Sequence, residues 1–244
     1  HFWSRNFNKG RKVSIGHPGF GDFMRDYITK RTNESYKDFN FRGVNIFIDD
    51  PLPENIDIKS VLRVVENRIP REFFKDIKEI RVGDYEYFDK RGINALYKDR
   101  VLYIANEQSG FEDLLDDIVH EIAHHVEQKY PEDIYGDGLL KREFLKKRKQ
   151  LQFELRSEGY WTSEYDFDKI KFDLEFDKFL YDRIGKRMLN MVTSSIFIRP
   201  YASVSIREYF ATGFEAYYLG KRDELFQMSP DLYNKINELD NSTK

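Results

Sequence analysis

The stretch that most constrains this chain is an amphipathic segment that begins at Phe111 and contains the pattern His-Glu-x-x-His. Its apolar residues recur at helical spacing and fall on one face: Phe111, Leu114, Leu115, Ile118, Ile122 and Val126. His120 and His124 project from the opposite face, because each residue turns the helix by about 100°. We therefore predict a helix that packs one face on a core, turns two imidazoles towards a cleft and ends near Tyr130, since Pro131 stops it.

The spacing of these two histidines is typical of a zinc site. Neutral His side chains at positions i and i+4 bring two nitrogens close enough to bind one tetrahedral Zn²⁺, which leaves positions for a third protein ligand and a water. Glu121 lies one step round the helix from His120, where its carboxylate could take a proton from that water. His125 falls back towards the apolar face, and we interpret it as a packed or supporting histidine. The sequence thus predicts a metal site that contains His120 and His124.

Composition narrows the class of protein. The chain has 244 residues, of which 40% are hydrophobic, and this is enough for a folded protein with a sizeable core. Its 40 Lys and Arg nearly balance its 43 Asp and Glu, so a net charge of −3 gives no overall attraction to nucleic acid or to an anionic membrane. The absence of cysteine excludes disulfides, thiolate zinc ligands and a Cys nucleophile. No apolar run approaches the roughly 20 residues that a membrane span needs.

The first half of the chain alternates strand and helix signals. Residues 41–48 have period-two character and predict a strand, and residues 77–83 predict a second one. Between them, apolar residues at helical spacing predict a helix over residues 56–69, which ends at Pro70. Polar residues 31–39 are typical of a loop.

A hairpin is predicted immediately before the histidine helix. Residues 95–97 and 101–105 are apolar segments separated by Lys-Asp-Arg. If one of these strands lies at the sheet edge beside the helix, it can hold an extended peptide as an added strand. We assign that role to Val101, Leu102 and Tyr103, with an ordinary hairpin as the alternative.

The second half carries mainly helical signals, so the chain is predicted to be α+β, with a small mixed sheet beside the histidine helix. Residues 139–156 predict a charged helix whose basic stretch, residues 141–149, we interpret as a solvated face rather than a nucleic-acid contact. A further helix is expected over residues 174–191. No linker divides the chain convincingly, so we expect one domain over residues 1–244, with an irregular amino-terminal arm at residues 1–19.

The third zinc ligand has two candidates from the residues alone. No His follows His125, so the ligand must be Asp or Glu. If residues 205–219 form a helix, Glu208 and Glu215 lie on the same face of it. Ser205-x-x-Glu208 also has the form of a capping box, in which Glu208 would bond the start of its own helix. The ligand and capping roles of Glu208 both remain open at this point.

The motifs together resemble a known family of zinc peptidases. The motif His-Glu-Ile-Ala-His, followed by Tyr201, six intervening residues and Glu208-Tyr-Phe-Ala-x-x-Phe, is similar to the protease domain of anthrax lethal factor. The same family includes the Pro-Pro endopeptidases. The resemblance covers roughly residues 95–240 at motif level. Ala123 takes the place of a Gly in lethal factor. The segment between the motifs is long and charged, so substrate-binding features there cannot be transferred from the family.

The resemblance implies a gluzincin-type zinc endopeptidase with a thermolysin-like core. One Zn²⁺ would be bound by three side chains: His120, His124 and Glu208. Glu121 would be the general base that acts on a zinc-bound water, and Tyr201 would stabilise the oxyanion. Glu215 would support one of the motif histidines as a hydrogen-bond partner behind the ligands.

Function and location follow from the same resemblance. We expect a peptide or protein substrate, no nucleic-acid partner and a secreted protein. Because the chain opens at His1 rather than Met, we expect a processed or trimmed amino terminus. The alternative is a non-catalytic, zinc-containing interaction module of a toxin-like assembly, with a delivery or assembly partner that the sequence does not identify.

Overall fold

The computed structural model describes residues 36–91 and 93–244, and the predicted arm at residues 1–19 lies outside these ranges. The chain divides after Val126 into two compact units, residues 1–126 and 127–244. The expectation of a single domain stays a prediction, and each unit is described by itself.

A mixed sheet organises the described part of the first unit. It contains five strands: β1 (Tyr36–Phe41), β2 (Val44–Ile48), β3 (Glu79–Gly83), β4 (Ala95–Lys98) and β5 (Val101–Ala105). Their order across the sheet is β1-β2-β3-β5-β4. The three central strands run parallel, and each outer strand pairs antiparallel with its neighbour. The prediction of an α+β chain with a small mixed sheet is therefore confirmed.

Helices connect these strands and follow the last of them. They are α1 (Ile58–Arg68), α2 (Glu86–Arg91) and α3 (Phe111–Lys129), with a 3-10 turn at Arg71–Phe73. The Asp57 side chain caps α1 by accepting a hydrogen bond from the backbone N–H of Lys59 at 3.0 Å. Four apolar residues form the buried face of α1: Ile58, Val61, Leu62 and Val65. This crossover helix allows β2 and β3 to run parallel.

The structure corrects the predicted loop at residues 36–39, because residues 36–41 form β1, and the rest of that prediction, residues 31–35, lies outside the described ranges. A two-residue turn joins β1 to β2, with φ of 53° at Arg42 and 95° at Gly43, as a tight hairpin of type I′ requires. Asn40 Oδ1 accepts a hydrogen bond from the Gly43 N–H at 3.0 Å. β1 (Tyr-Lys-Asp-Phe-Asn-Phe) mixes three aromatic with three polar residues, and at the sheet edge it is held by backbone pairing with β2.

The predicted peptide-binding edge strand was also wrong. Val101, Leu102 and Tyr103 lie in β5, which pairs on one side with β3 and on the other with β4. All three are buried, as is usual for a continuous apolar run in a central strand. The outer strand of the hairpin is β4, so this edge of the sheet belongs to Ala95–Lys98.

The second unit is helical, as predicted. After the end of α3 it contains α4 (Pro131–Tyr135), α5 (Leu139–Ser157), α6 (Leu174–Lys178), α7 (Lys186–Thr193), α8 (Ile206–Tyr218), α9 (Arg222–Met228) and α10 (Pro230–Ser242). The continuous helix predicted over residues 174–191 is interrupted by a π-helical turn at Phe179–Ile184 and by Gly185, whose φ is +77°. Among the described helices, none combines the length and the apolar character that crossing a membrane would need.

The basic stretch of α5 is only partly solvated, which corrects the interpretation of residues 141–149. Lys147 is buried and donates hydrogen bonds from Nζ to the carbonyls of Ile196 and Met228, at 2.6 and 2.7 Å. Arg148 is 1% exposed, and its Nη1 donates to the Ser203 carbonyl at 2.7 Å. Its guanidinium also lies 3.8 Å from the ring centroid of Phe176. These two cationic side chains therefore bind backbone carbonyls in the interior of the unit rather than facing solvent.

Close packing of α8 against α10 depends on Gly213. A Cβ built on Gly213 would lie 2.3 Å from Cδ2 of Leu232, which is less than any normal contact. The small residue therefore lets α10 approach the helix that carries Glu208.

Candidate metal centre

Helix α3 carries three of the predicted site residues. At its start, Asp113 Oδ2 accepts a hydrogen bond from the Ser109 N–H at 3.1 Å, which satisfies a donor next to the first turn. Apart from the half-buried Phe111, the predicted apolar face is buried, and the opposite face is covered too, because His120 and His124 are 2% and 1% exposed. Their rings lie edge to face, with centroids 4.8 Å apart. The two imidazoles are thus neighbours in a protected site, as the i, i+4 spacing predicts.

Helix α8 positions Glu208 in its first turn. Ser205 is the N-cap residue, and its Oγ accepts a hydrogen bond from the Glu208 N–H at 3.3 Å. The backbone of Glu208 therefore takes part in capping, as the Ser-x-x-Glu pattern indicates. Its side chain is 2% exposed and has a further role.

One ligand atom from each of His120, His124 and Glu208 lies within 4.8 Å of the other two. All three residues are buried. Two ligands of a tetrahedral zinc, each about 2.1 Å from the ion, are about 3.4 Å apart, so pairs of these atoms would have to approach one another by at most about 1.4 Å to bind one ion. Two imidazole nitrogens and one carboxylate oxygen are also a donor set that suits Zn²⁺. The residues present therefore fit the metal.

The two predicted catalytic side chains are buried as well. Glu121 follows His120 on α3 and is 4% exposed. Tyr201 is also 4% exposed and lies in a 3-10 helix at Pro200–Ser203, which precedes α8. Protected positions of this kind strengthen electrostatic interactions with any reacting group, because little water screens them.

Glu215 has a partner that sequence reasoning missed. Its Oε2 forms an ion pair with Arg199 Nη1 at 2.7 Å, and the Glu215 side chain is 1% exposed. Arg199 precedes the 3-10 helix that contains Tyr201, so the pair ties this helix to α8. The expectation that Glu215 supports a motif histidine stays a prediction. No sequence pattern pointed to Arg199, because the two partners are separated by a turn and most of a helix.

His125 contacts the outer strand of the hairpin. Its Nδ1 shares a hydrogen bond of 2.8 Å with the Tyr97 hydroxyl, and the two rings meet edge to face. Burial raises the pKa of the Tyr97 phenol, so the hydroxyl keeps its proton at neutral pH. His125 is therefore a packed histidine that links α3 to β4, in agreement with its position towards the apolar face.

Comparison with known proteins adds no relative: no family model, curated protein or solved structure matches the chain. Function is therefore argued from the side chains of this site.

Proposed function

We propose that the chain is a zinc-dependent endopeptidase of the gluzincin type, similar to the lethal factor family and with a thermolysin-like core. One Zn²⁺ would be held by His120, His124 and Glu208. The observation that carries the proposal is the meeting of two buried imidazoles with a buried carboxylate from a distant part of the sequence. Burial of an ionised carboxylate is costly unless cations or hydrogen bonds compensate it, and a divalent ion would contribute to that compensation here.

The number of ligands favours catalysis over a purely structural metal. Structural zinc sites have four protein ligands, whereas catalytic sites have three and leave one position open. In the part of the chain that the structure describes, the group contains three candidate ligands. The alternative function, a non-catalytic interaction module with a structural zinc, is therefore less favoured.

The chemistry assigned to the surrounding residues is peptide hydrolysis. Zinc in this site would supply Lewis-acid chemistry, polarising a carbonyl and lowering the pKa of a water to about 7. Glu121 accepts the proton of the attacking water and delivers it to the leaving amine. Tyr201 donates a hydrogen bond to the oxygen that becomes negative, a contact worth roughly 3 kcal/mol in other enzymes.

The substrate class is a peptide or protein. A peptide in extended conformation would pair with the outer edge of β4, rather than with β5 as the sequence suggested. A nucleic acid is not expected, because Lys147 and Arg148 in the basic stretch donate to backbone carbonyls of this chain. Secretion and a delivery partner remain part of the proposal and follow from the family resemblance alone.

Digestion of an unbiased peptide library, with and without a chelator, tests the proposal. The zinc-loaded wild type should cleave peptides, and the chelator should abolish cleavage. Glu121→Gln should keep its zinc and lose at least about 100-fold in kcat, because the general base is gone. Glu112→Gln is the matched control, since Glu112 is exposed in the first turn of the same helix. Full activity of Glu121→Gln would end the proposal, and tight zinc binding without cleavage would favour the interaction module.

A further inference from the structure

A polar network lies next to the candidate site, at the carboxyl-terminal end of α3. Glu127 Oε2 accepts a hydrogen bond from Arg207 Nε at 2.8 Å, as part of an ion pair. Glu127 Oε1 accepts a second one from the Tyr135 hydroxyl at 2.7 Å. The Glu127 side chain is 9% exposed and that of Arg207 is 40% exposed, so the carboxylate is held in a protected position while the guanidinium is partly screened by solvent.

Glu127 and Arg207 each lie close in sequence to a candidate zinc ligand. Glu127 follows His124 by three residues on α3, which is less than one helical turn. Arg207 immediately precedes Glu208 on α8. The ion pair therefore joins the two helices that carry the candidate ligands, within one turn of a ligand on each. Tyr135, at the end of α4, orients the carboxylate from its other side.

We infer that the Glu127–Arg207 ion pair, oriented by Tyr135, is a positioning clamp that keeps the two histidines and Glu208 at the spacing zinc needs. The inference rests on the proposed zinc site. Metal affinity depends on such preorganisation, because ligands free to separate must be ordered again when the ion binds. Without the clamp, part of the binding free energy would be used to bring α3 and α8 together.

Electrostatics alone predicts a different result for one of the partners. Arg207 carries a positive charge beside a cation site, so its removal would reduce repulsion and strengthen zinc binding. Removal of the negative charge of Glu127 would weaken binding. The clamp instead predicts that both substitutions weaken it. The sign of the change at Arg207 therefore separates positioning from a simple charge effect.

Zinc affinity, measured by competition with a chromogenic chelator, is the test. Arg207→Gln and Glu127→Gln should each raise the zinc Kd by about 10-fold. The double variant should resemble either single variant rather than show a 100-fold loss, because one interaction is removed in all three. The control is the Lys235–Asp137 pair in the same unit, at 2.6 Å, because neither residue lies on α3 or α8. Lys235→Gln should have a zinc Kd within about twofold of the wild-type value. Loss of its ion pair with Asp137 should lower the unfolding temperature measured in chelator.

Each possible outcome is decisive. An unchanged or lower zinc Kd for Arg207→Gln would overturn the clamp while leaving the zinc peptidase proposal intact, provided the wild type binds zinc and cleaves peptides. A wild type that binds no zinc would overturn both. If Arg207→Gln fails to fold, Tyr135→Phe keeps both charges and removes only the orienting hydroxyl. It should raise the zinc Kd by about threefold, and an unchanged value would contradict the inference.

Discussion

Two buried carboxylates on α8, seven residues apart, have different surroundings and so different expected roles. Glu208 belongs to the group with His120 and His124, whereas Glu215 is paired with Arg199 at 2.7 Å. A carboxylate that already holds a guanidinium has part of its charge compensated. Glu208 is the one whose oxygen lies near two imidazoles. Zinc binding should therefore depend much more strongly on Glu208 than on Glu215.

The corresponding substitutions give the first prediction. Glu208→Gln should raise the zinc Kd by at least about 100-fold, because a neutral amide is a poor ligand for zinc. Glu215→Gln is the matched control on the same helix and should change the Kd by less than about 10-fold. Its main effect should be a lower unfolding temperature, since Arg199 loses its charged partner. Isothermal titration with zinc and thermal unfolding in chelator measure the two effects, and equal losses of affinity would contradict the assignment.

Sequence reasoning could bring the ligand choice down to these two residues but no further. Helical spacing puts both acids on one face. The Ser205-x-x-Glu208 pattern also predicts a capping role for Glu208, and its backbone N–H does bind the Ser205 side chain. The decisive facts are the partners of each side chain, which come from distant segments. Only the family resemblance favoured Glu208, whereas Tyr97 and Arg199 carried no signal that would have revealed them.

At the scale of single elements, helix α5 shows how a basic stretch can be misread. Lys147 and Arg148 share a face with residues of the core: Phe144, Leu151 and Leu155. The spacing of these residues places both cations on the buried side, so the signal was present in the sequence. We nevertheless predicted a solvated face, because charged stretches of a helix are usually exposed to water. Backbone carbonyls and the ring of Phe176 make the exception stable.

The burial of Lys147 leads to a pH prediction. Burial lowers its pKa to about 8, whereas an unfolded chain has a Lys pKa of about 10.4. Below pH 8 both states are protonated, and the folded state bears the full cost of the buried charge. Between about pH 8 and 10 only the unfolded state keeps the proton, so the free energy of unfolding should rise with pH by at most about 1.4 kcal/mol per unit.

Denaturant unfolding of the wild type and Lys147→Met in chelator, from pH 7 to 10, measures this effect. The difference in unfolding free energy should move in favour of the wild type as the pH rises, because the variant lacks the group. Lys146→Met is the control, since Lys146 is the exposed neighbour on the same helix. Among the neighbouring charges, Glu143 raises the pKa of Lys147 and Lys146 lowers it, whereas burial has the largest effect. Parallel pH curves for the wild type and Lys147→Met would show that Lys147 does not titrate there.

At the scale of the whole molecule, the fold class was easier to predict from the sequence than the order of the strands in the sheet. The α+β class follows from local patterns such as the apolar face of α1 and the hairpin of β4 and β5. The strand order does not follow from local patterns. The parallel pairs β2–β3 and β3–β5 join segments that are separated in sequence by a helix or by a second hairpin strand. The edge strand β1 was missed because its three polar residues dilute the aromatic ones, and its backbone pairing with β2 leaves little trace in the sequence.

The last prediction concerns the stability of the whole chain. A ligand that binds only the folded state stabilises it by about 2.7 kcal/mol at a free concentration 100 times its Kd. For a chain of this length, that corresponds to a rise of about 5–10 °C in unfolding temperature. Zinc should produce this rise in the wild type and not in Glu208→Gln. Magnesium should have no comparable effect, because it prefers a shell of oxygen ligands and retains its water.

Thermal unfolding followed by circular dichroism at matched free metal concentrations measures these shifts. Equal stabilisation by magnesium and zinc would indicate a carboxylate site elsewhere in the chain rather than the His120–His124–Glu208 group. A zinc shift that persists in Glu208→Gln would remove the carboxylate from the ligand set, and the peptidase proposal would then lose the observation that carries it. A shift that needs all three side chains would mean that the ion binds where two helices distant in sequence supply its ligands, so that folding and metal binding are coupled in this chain.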